Sequence, residues 1–303
     1  MAGPAADPAL WPPLRDLPAA VAAAWPWLAR AAEVRGRAFV NAEGGDVAGH
    51  GSSRAVTRHV ANYLAAAELG ERLALSGGPV VDVGSGVGGL GAWLADRLGA
   101  ELHLVDHDPR VRAVAAAAFA DAAVHADLTA APQAALVTAM EVIEHVPPAR
   151  QAGFVAALFA RVAPGGLLVV STPEETGYLG GWSGYAPHVG PLDADGLTAV
   201  LQAGAGVAPT VWRLEGAPFA LGRLRRVAEP LVNRAWARLQ RRLPRTAGRL
   251  VAVTAAADGR PRSAPAVTAS VEAVAPEHGT GSGLLGVVQA PATRSQSRNV
   301  ASP

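Results

Sequence analysis

VVDVGSGVGGL, Val80 to Leu90, is a short apolar run that breaks into glycines and resumes as an apolar, helix-compatible segment. The pattern predicts a strand, a tight turn and the start of a helix. Gly84, Gly86 and Gly88 each lack a Cβ where the backbone must turn sharply or let a ligand approach. Such a turn delivers its ligand to the positive end of the following helix, so a nucleotide-like ligand is expected. Gly84, Gly86 and Gly89 also satisfy the dinucleotide fingerprint, with an acid about 20 residues further on. The turn by itself therefore does not choose between cofactors.

Working outward, a helix from Gly88 to about Leu98 and a second strand, Glu101 to Val105, complete a βαβ unit that ends in Asp106-His107-Asp108-Pro109. An acid at that strand end lies across the crevice from the glycine turn and can accept both ribose hydroxyls of a nucleotide; Asp106 is assigned this role. Asp108 can cap the next helix instead, and a later strand end would exchange the two roles. A third strand near Ala123 to Ala126 leads into Asp127, and a fourth, Leu136 to Met140, runs into Glu141-Val142-Ile143-Glu144-His145. A helix over Pro148 to Val162, the turn Pro164-Gly165-Gly166 and a fifth strand, Leu167 to Ser171, follow. The loop Thr176 to Pro191 carries Tyr178, Trp182, Tyr185 and His188 among glycines, a composition suited to a substrate pocket or to an irregular surface loop. A helix over Asp193 to Gln202, a sixth strand over Ala208 to Leu214 and a seventh over Arg249 to Ala255 complete the alternation.

Asp82 stands two residues before the first glycine, and D-x-G-x-G-x-G at a strand end resembles motif I of the class I S-adenosylmethionine-dependent methyltransferases. TAMEVIEHVPP, Thr138 to Pro148, and PGGLLVVSTP, Pro164 to Pro173, also resemble this family, in particular its ubiquinone-biosynthesis O-methyltransferase-like group and, more distantly, the small-RNA 3′-terminal 2′-O-methyltransferases. The resemblance implies a Rossmann-like, mostly parallel seven-stranded sheet with an antiparallel last strand and helices on both faces. It also implies S-adenosyl-L-methionine as cofactor. The turn at Gly84, Gly86 and Gly88 would hold the methionine part, ordered by Asp82, and Met140 would line the site. Asp127 would meet the adenine amino group, although a turn or cap aspartate is an equal reading.

Glu141, Glu144 and His145 have the i, i+3, i+4 spacing that would gather them on one helical face, and with His188 they can ligate a divalent metal such as magnesium. Metal-dependent relatives use two glutamates and a histidine in this E-x-x-E-H arrangement plus a later histidine. Many relatives carry the Glu-His pair without metal. In that case His145 is the general base, with Glu144 beside it, because an unperturbed imidazole has a pKa of about 6.5.

Length and composition bound the rest. Half of the 303 residues are hydrophobic, enough for a sizeable core, and the formal charge of +1 gives no global pull toward nucleic acid. Cysteine is absent, which excludes a thiolate metal site, a cysteine nucleophile and disulfides; with no uninterrupted apolar segment to span a bilayer, a cytoplasmic protein is expected. Residues 1–50 read as an N-terminal helical extension whose tryptophans either pack into the core or form a lid or oligomer contact. Residues 51–257 read as the methyltransferase domain, and 258–303, rich in Pro, Ser, Ala and Gly, as a disordered tail. A basic helical insertion is expected over about 216–248, with nine arginines from Arg223 to Arg249 against the one acid Glu229. Such a helix either touches a membrane or anionic substrate, or packs its apolar face and leaves its arginines solvated. The expected activity is O-methylation of a small hydroxylated metabolite. The alternatives are RNA 2′-O-methylation, a non-catalytic S-adenosylmethionine-binding regulatory protein, and an NAD-dependent oxidoreductase.

Overall fold

The computed structural model describes residues 10–35, 53–220, 222–243, 264, 270–277 and 283–292. Its centre is an eight-stranded sheet of β1 (Val80–Val83), β2 (Leu102–Val105), β3 (Ala123–His125), β4 (Ala134–Met140), β5 (Val162–Pro173), β6 (Thr210–Gly216), β7 (Val271–Val274) and β8 (Gly283–Gln289). The strand order is β3-β2-β1-β4-β5-β8-β6-β7. The pairs from β3 to β5 are parallel, and β8 lies antiparallel between β5 and β6. The chain winds outward from β1 in one direction and returns through β4 in the other, so a crevice opens beyond the C-terminal ends of β1 and β4. The glycine turn and the Glu141 to His145 segment leave the sheet at these two ends.

Alternating side chains feed two cores. Val80, Leu136, Met140, Leu167 and Val169 face one layer of helices, while Val81, Val137, Ala139, Leu168 and Val170 face the other. The first layer holds α1 (Leu17–Arg35), α2 (Ser53–Arg72), α3 (Gly89–Leu98) and α4 (Pro109–Ala118); the second holds α5 (Pro148–Phe159) and α6 (Ala194–Ala205). The N-terminal segment is therefore part of the main core. Leu17, Val21, Ala24, Leu28 and Ala31 of α1 are buried in the first layer, and Trp25 and Trp27 pack partly buried against it. The segment before α1 is pinned at the far edge of the sheet, where Trp11 Nε1 donates to the Ala273 carbonyl and Trp212 Nε1 to the Leu10 carbonyl, both at 3.0 Å.

The C-terminal expectation is corrected. The sheet has eight strands, and the antiparallel position expected for Arg249 to Ala255, which lies outside the described residues, is filled by β8 from within the expected disordered tail. GLLGVVQ is buried along almost its whole length between β5 and β6, and a strand covered on both faces shows no alternation to betray it. The expected basic insertion is α7 (Arg223–Arg242), bent into the chain between β6 and β7.

Because Val287 is fully buried in the first core, Val287→Asp leaves a charge without a partner and is expected to destabilise the protein by about 3 kcal/mol or more. Urea unfolding checks this; a disordered tail would leave the midpoint unchanged.

Candidate functional site

The glycine turn folds as its sequence dictates. Gly84, Gly86 and Gly88 have φ values of 68°, 55° and 84°, all left-handed. A Cβ on Gly84 would lie 2.5 Å from Val142 Cγ2, and one on Gly88 would lie 2.5 Å from Leu104 Cδ1, so close approach as well as φ demands glycine. Gly88 precedes α3 without a side-chain cap, which leaves the helix N-terminus facing the turn.

Beneath the turn Asp82 is fully buried. Thr138 Oγ1 donates to its Oδ1 at 2.7 Å, and the Tyr63 hydroxyl lies 3.1 and 2.9 Å from Oδ1 and Oδ2. Burial pushes the Asp82 carboxyl up to about 7, against the lowering effect of the Thr138 and Tyr63 hydrogen bonds. Burial and then the Asp82 charge raise the Tyr63 phenol well above its ordinary value, so Tyr63 remains a donor. At the end of the neighbouring strand β2, Asp106 accepts the Gly86 N–H at 3.1 Å through Oδ2 and the Asp108 N–H at 2.9 Å through Oδ1. Each oxygen keeps a further lone pair for an incoming hydroxyl. Asp108 accepts the Arg110 N–H and caps α4. Asp127 caps a short 3₁₀ turn over Leu128–Ala130, its Oδ1 accepting from the backbone and hydroxyl of Thr129.

A cleft of ≈ 220 Å³ lies over this turn, lined by Gly84 to Leu90, Met140, Glu141, Glu144, His145, Tyr185 and His188, and from the α-helical layer by Leu28, His59 and Tyr63. The last three were not singled out in the sequence. Their only local signal is the apolar and amphipathic character of α1 and α2, which does not distinguish a cleft wall from core.

The helical gathering of Glu141, Glu144 and His145 is corrected. Only Ile143–His145 is helical, as one 3₁₀ turn, and Glu141 precedes it with a left-handed φ of 57°. That backbone turns the Glu141 carboxylate toward α2, where Arg58 Nη2 and Asn62 Nδ2 each donate to it at 3.3 Å; Ser171 Oγ donates as well. Glu144, His145 and His188 do converge, each offering one ligand atom within 4.8 Å of the others. Glu144 is buried and accepts the Thr172 hydroxyl at 3.1 Å. Burial, with the Glu141 charge adding, pushes its carboxyl well above the usual range. His145 Nδ1 lies 3.1 Å from the Pro187 carbonyl. A carbonyl only accepts, so this bond assigns the proton to Nδ1 and leaves Nε2 with its lone pair in the neutral ring. His188 Nδ1 pairs with the buried Glu175 carboxylate, and its ring stands edge-on to those of His145 and Tyr185 at 5.0 and 4.8 Å.

Residues 56–203 match a family model described as a methyltransferase domain. Residues 56–203 are thus similar to methyltransferase domains. The residues present fit S-adenosylmethionine: the left-handed glycine turn lines the cleft at the start of α3, and Asp106, bound to the Gly86 N–H, has carboxylate lone pairs left for ribose hydroxyls. Curated proteins gave no match by sequence. Among solved structures, the chain is similar to a Galdieria sulphuraria protein assigned as a sarcosine dimethylglycine methyltransferase (12% identity, 78% of this chain and 88% of that one, TM-score 0.48). It is also similar to magnesium protoporphyrin IX methyltransferase from Synechocystis (18% identity, 62% and 86%, TM-score 0.43). A third is phosphoethanolamine N-methyltransferase 2 of Haemonchus contortus (14% identity, 71% of this chain, TM-score 0.42), of whose length the chain spans 49%.

In the folded protein Asp82 keeps its proton up to about pH 7, whereas the unfolded chain releases it near pH ~4. The folded state binds more protons in that window, so this contribution is present below pH ~4, falls as pH rises and is lost above pH 7. Asp82→Asn removes the dependence. The stability of wild type relative to the variant is expected to drop by roughly 4 kcal/mol between pH ~4 and ~7 in urea titrations; a constant difference would contradict the assignment.

Proposed function

We propose that the protein methylates a hydroxyl group of a small hydroxylated metabolite, with His145 as general base. The observation that carries this reading is the placement of His145, which lines the cleft with its Nδ1 held 3.1 Å from the Pro187 carbonyl, an arrangement that favours the tautomer with Nε2 as proton acceptor. When bound, S-adenosylmethionine supplies an electrophilic methyl group. The chain holds the acceptor oxygen in line with that carbon and takes its proton on Nε2 as the new O–C bond forms. Asp82, Gly84, Gly86, Gly88, Asp106 and Met140 are assigned to the cofactor. Asp127 is kept as an adenine contact through Oδ2. Glu144 Oε1 lies 4.0 Å from His145 Nε2, and burial favours its neutral carboxyl, which would donate to the acceptor or its oxyanion. Tyr185 and His188 close the acceptor side with aromatic surface, which favours a flat or partly apolar acceptor over an RNA backbone. No described helix is long and apolar enough to cross a membrane; with a cysteine-free chain, this supports a cytoplasmic setting.

A second reading adds a divalent metal at Glu144, His145 and His188, favoured by the convergence of their donor atoms and by Glu175 behind His188, a carboxylate that would orient the ligand ring. Such a metal would orient a hydroxyl and lower its pKa. Two imidazoles with one carboxylate suit manganese, iron or zinc better than magnesium, and Glu141 is outside the set.

Accumulation of S-adenosylhomocysteine over a panel of phenols, catechols, alcohols and amines tests the reading. Hydroxylated acceptors are expected to turn over, and His145→Ala is expected to lower kcat by about 10² to 10⁴ while leaving cofactor affinity intact. Turnover of amines alone would overturn it. A chelator that abolishes turnover, reversed by manganese, would establish the metal reading.

A further inference from the structure

The apolar face of α7 is turned outward. Leu224, Leu231 and Val232 are 82%, 57% and 64% exposed, and Val227 is also exposed. At 100° per residue Leu224, Val227 and Leu231 fall on one stripe, with Val232 beside it. The inner face is the one that packs: Pro230 is buried, and Asn233 donates to the Ser183 carbonyl at 2.9 Å. This reverses the packed-helix alternative of the sequence reading, in which the apolar face would be covered and only arginines solvated. Arg234, Arg238, Arg241 and Arg242 are exposed around the same stripe. The helix carries seven arginines against the single acid Glu229.

We propose that α7 docks the protein on the surface of a bilayer containing anionic lipids. The charge complementarity selects this occupant: an apolar stripe flanked by cations fits an interface where acyl chains lie beneath negative headgroups. A protein groove would satisfy the leucines but would need an acidic rim of matching length, and a second copy of α7 would bring like charges together. The position of the helix ties docking to the cleft. Leu179 N–H donates to the Arg226 carbonyl at 2.9 Å and the Tyr178 hydroxyl to Glu229 at 3.1 Å, so α7 holds the loop that carries Tyr185 and His188 into the cleft. Leu179 of that loop is itself 60% exposed. Docking would thus set the cleft beside the interface, within reach of a membrane-borne acceptor. The proposal stands apart from the assignment of a hydroxyl acceptor, because binding is read without turnover.

The test is co-sedimentation of the full chain with vesicles of phosphatidylcholine alone or mixed with phosphatidylglycerol, at low and raised salt. Binding is expected to the mixed vesicles only, and to weaken as salt rises. The quadruple variant Arg234→Gln, Arg238→Gln, Arg241→Gln, Arg242→Gln is expected to weaken it by about 100-fold. Leu224→Glu with Leu231→Glu is expected to weaken it about tenfold or more, with an unchanged urea midpoint because both side chains are exposed. Three outcomes would overturn the proposal: no binding to mixed vesicles, binding unaffected by either variant, or a dimer by sedimentation velocity that Leu231→Glu dissociates, which would give the face to a second copy. Full competition by inorganic phosphate at matched ionic strength would also overturn it, reducing the surface to a simple anion site.

Discussion

The burial of Asp82 is the constraint on which the site depends. Its carboxyl joins three elements: β1, on which it sits, β4 through Thr138, and α2 through Tyr63. Gly91 is small for the same reason, since a Cβ there would lie 2.6 Å from Asp82 Oδ2. A carboxyl this deep is tolerated only with donors on both oxygens and a pKa pushed up to about 7. The consequence is that the start of α3, the end of β1 and the wall of α2 are fixed relative to one another directly under the glycine turn. The turn is then held from the side of β2 by Asp106, which accepts the Gly86 N–H.

Everything chemical grows from two strand ends. The end of β1 sets the cofactor cradle, and the end of β4 sets Met140, Glu141, Glu144 and His145. Glu141 takes a left-handed backbone, which costs a non-glycine residue on the order of 1 to 3 kcal/mol. That strain is held by the bonds from Arg58, Asn62 and Ser171 to its carboxylate and by the Ser171 acceptors of its own N–H. The turn it creates aims Glu144 and His145 into the cleft, where the loop before α6 brings His188 to meet them.

The parts that were legible in the sequence are those written locally. The glycine turn, the helix cap at Asp108 and the βαβ unit of β1, α3 and β2 follow from residue types at short spacing, while the parallel sheet came with the family resemblance. The convergence of His145 with His188 was readable only through the family resemblance, because 43 residues of chain separate them and no periodicity spans a loop. The fate of Glu141 was hidden, since a helical spacing rule assumes a helix and the partner Arg58 lies on a distant element. β8 was hidden for a related reason: its apolar run is short, sits among Gly, Ser and Pro, and finds its neighbours β5 and β6 far back along the chain. The outward face of α7 could not be read either, because an amphipathic pattern names two faces without saying which one is covered.

The central claim is that an S-adenosyl cofactor sits across the glycine turn with Asp106 on its ribose. Titration calorimetry with S-adenosylhomocysteine and with NAD tests it most directly, using wild type, Gly86→Val and Asp106→Ala. The account predicts saturable binding of S-adenosylhomocysteine and none of NAD. It also predicts loss of binding in Gly86→Val, whose branched side chain cannot take the left-handed φ of 55°, and a loss of roughly 1.5 to 3 kcal/mol in Asp106→Ala. Binding of NAD, or S-adenosylhomocysteine affinity unchanged in both variants, would contradict it.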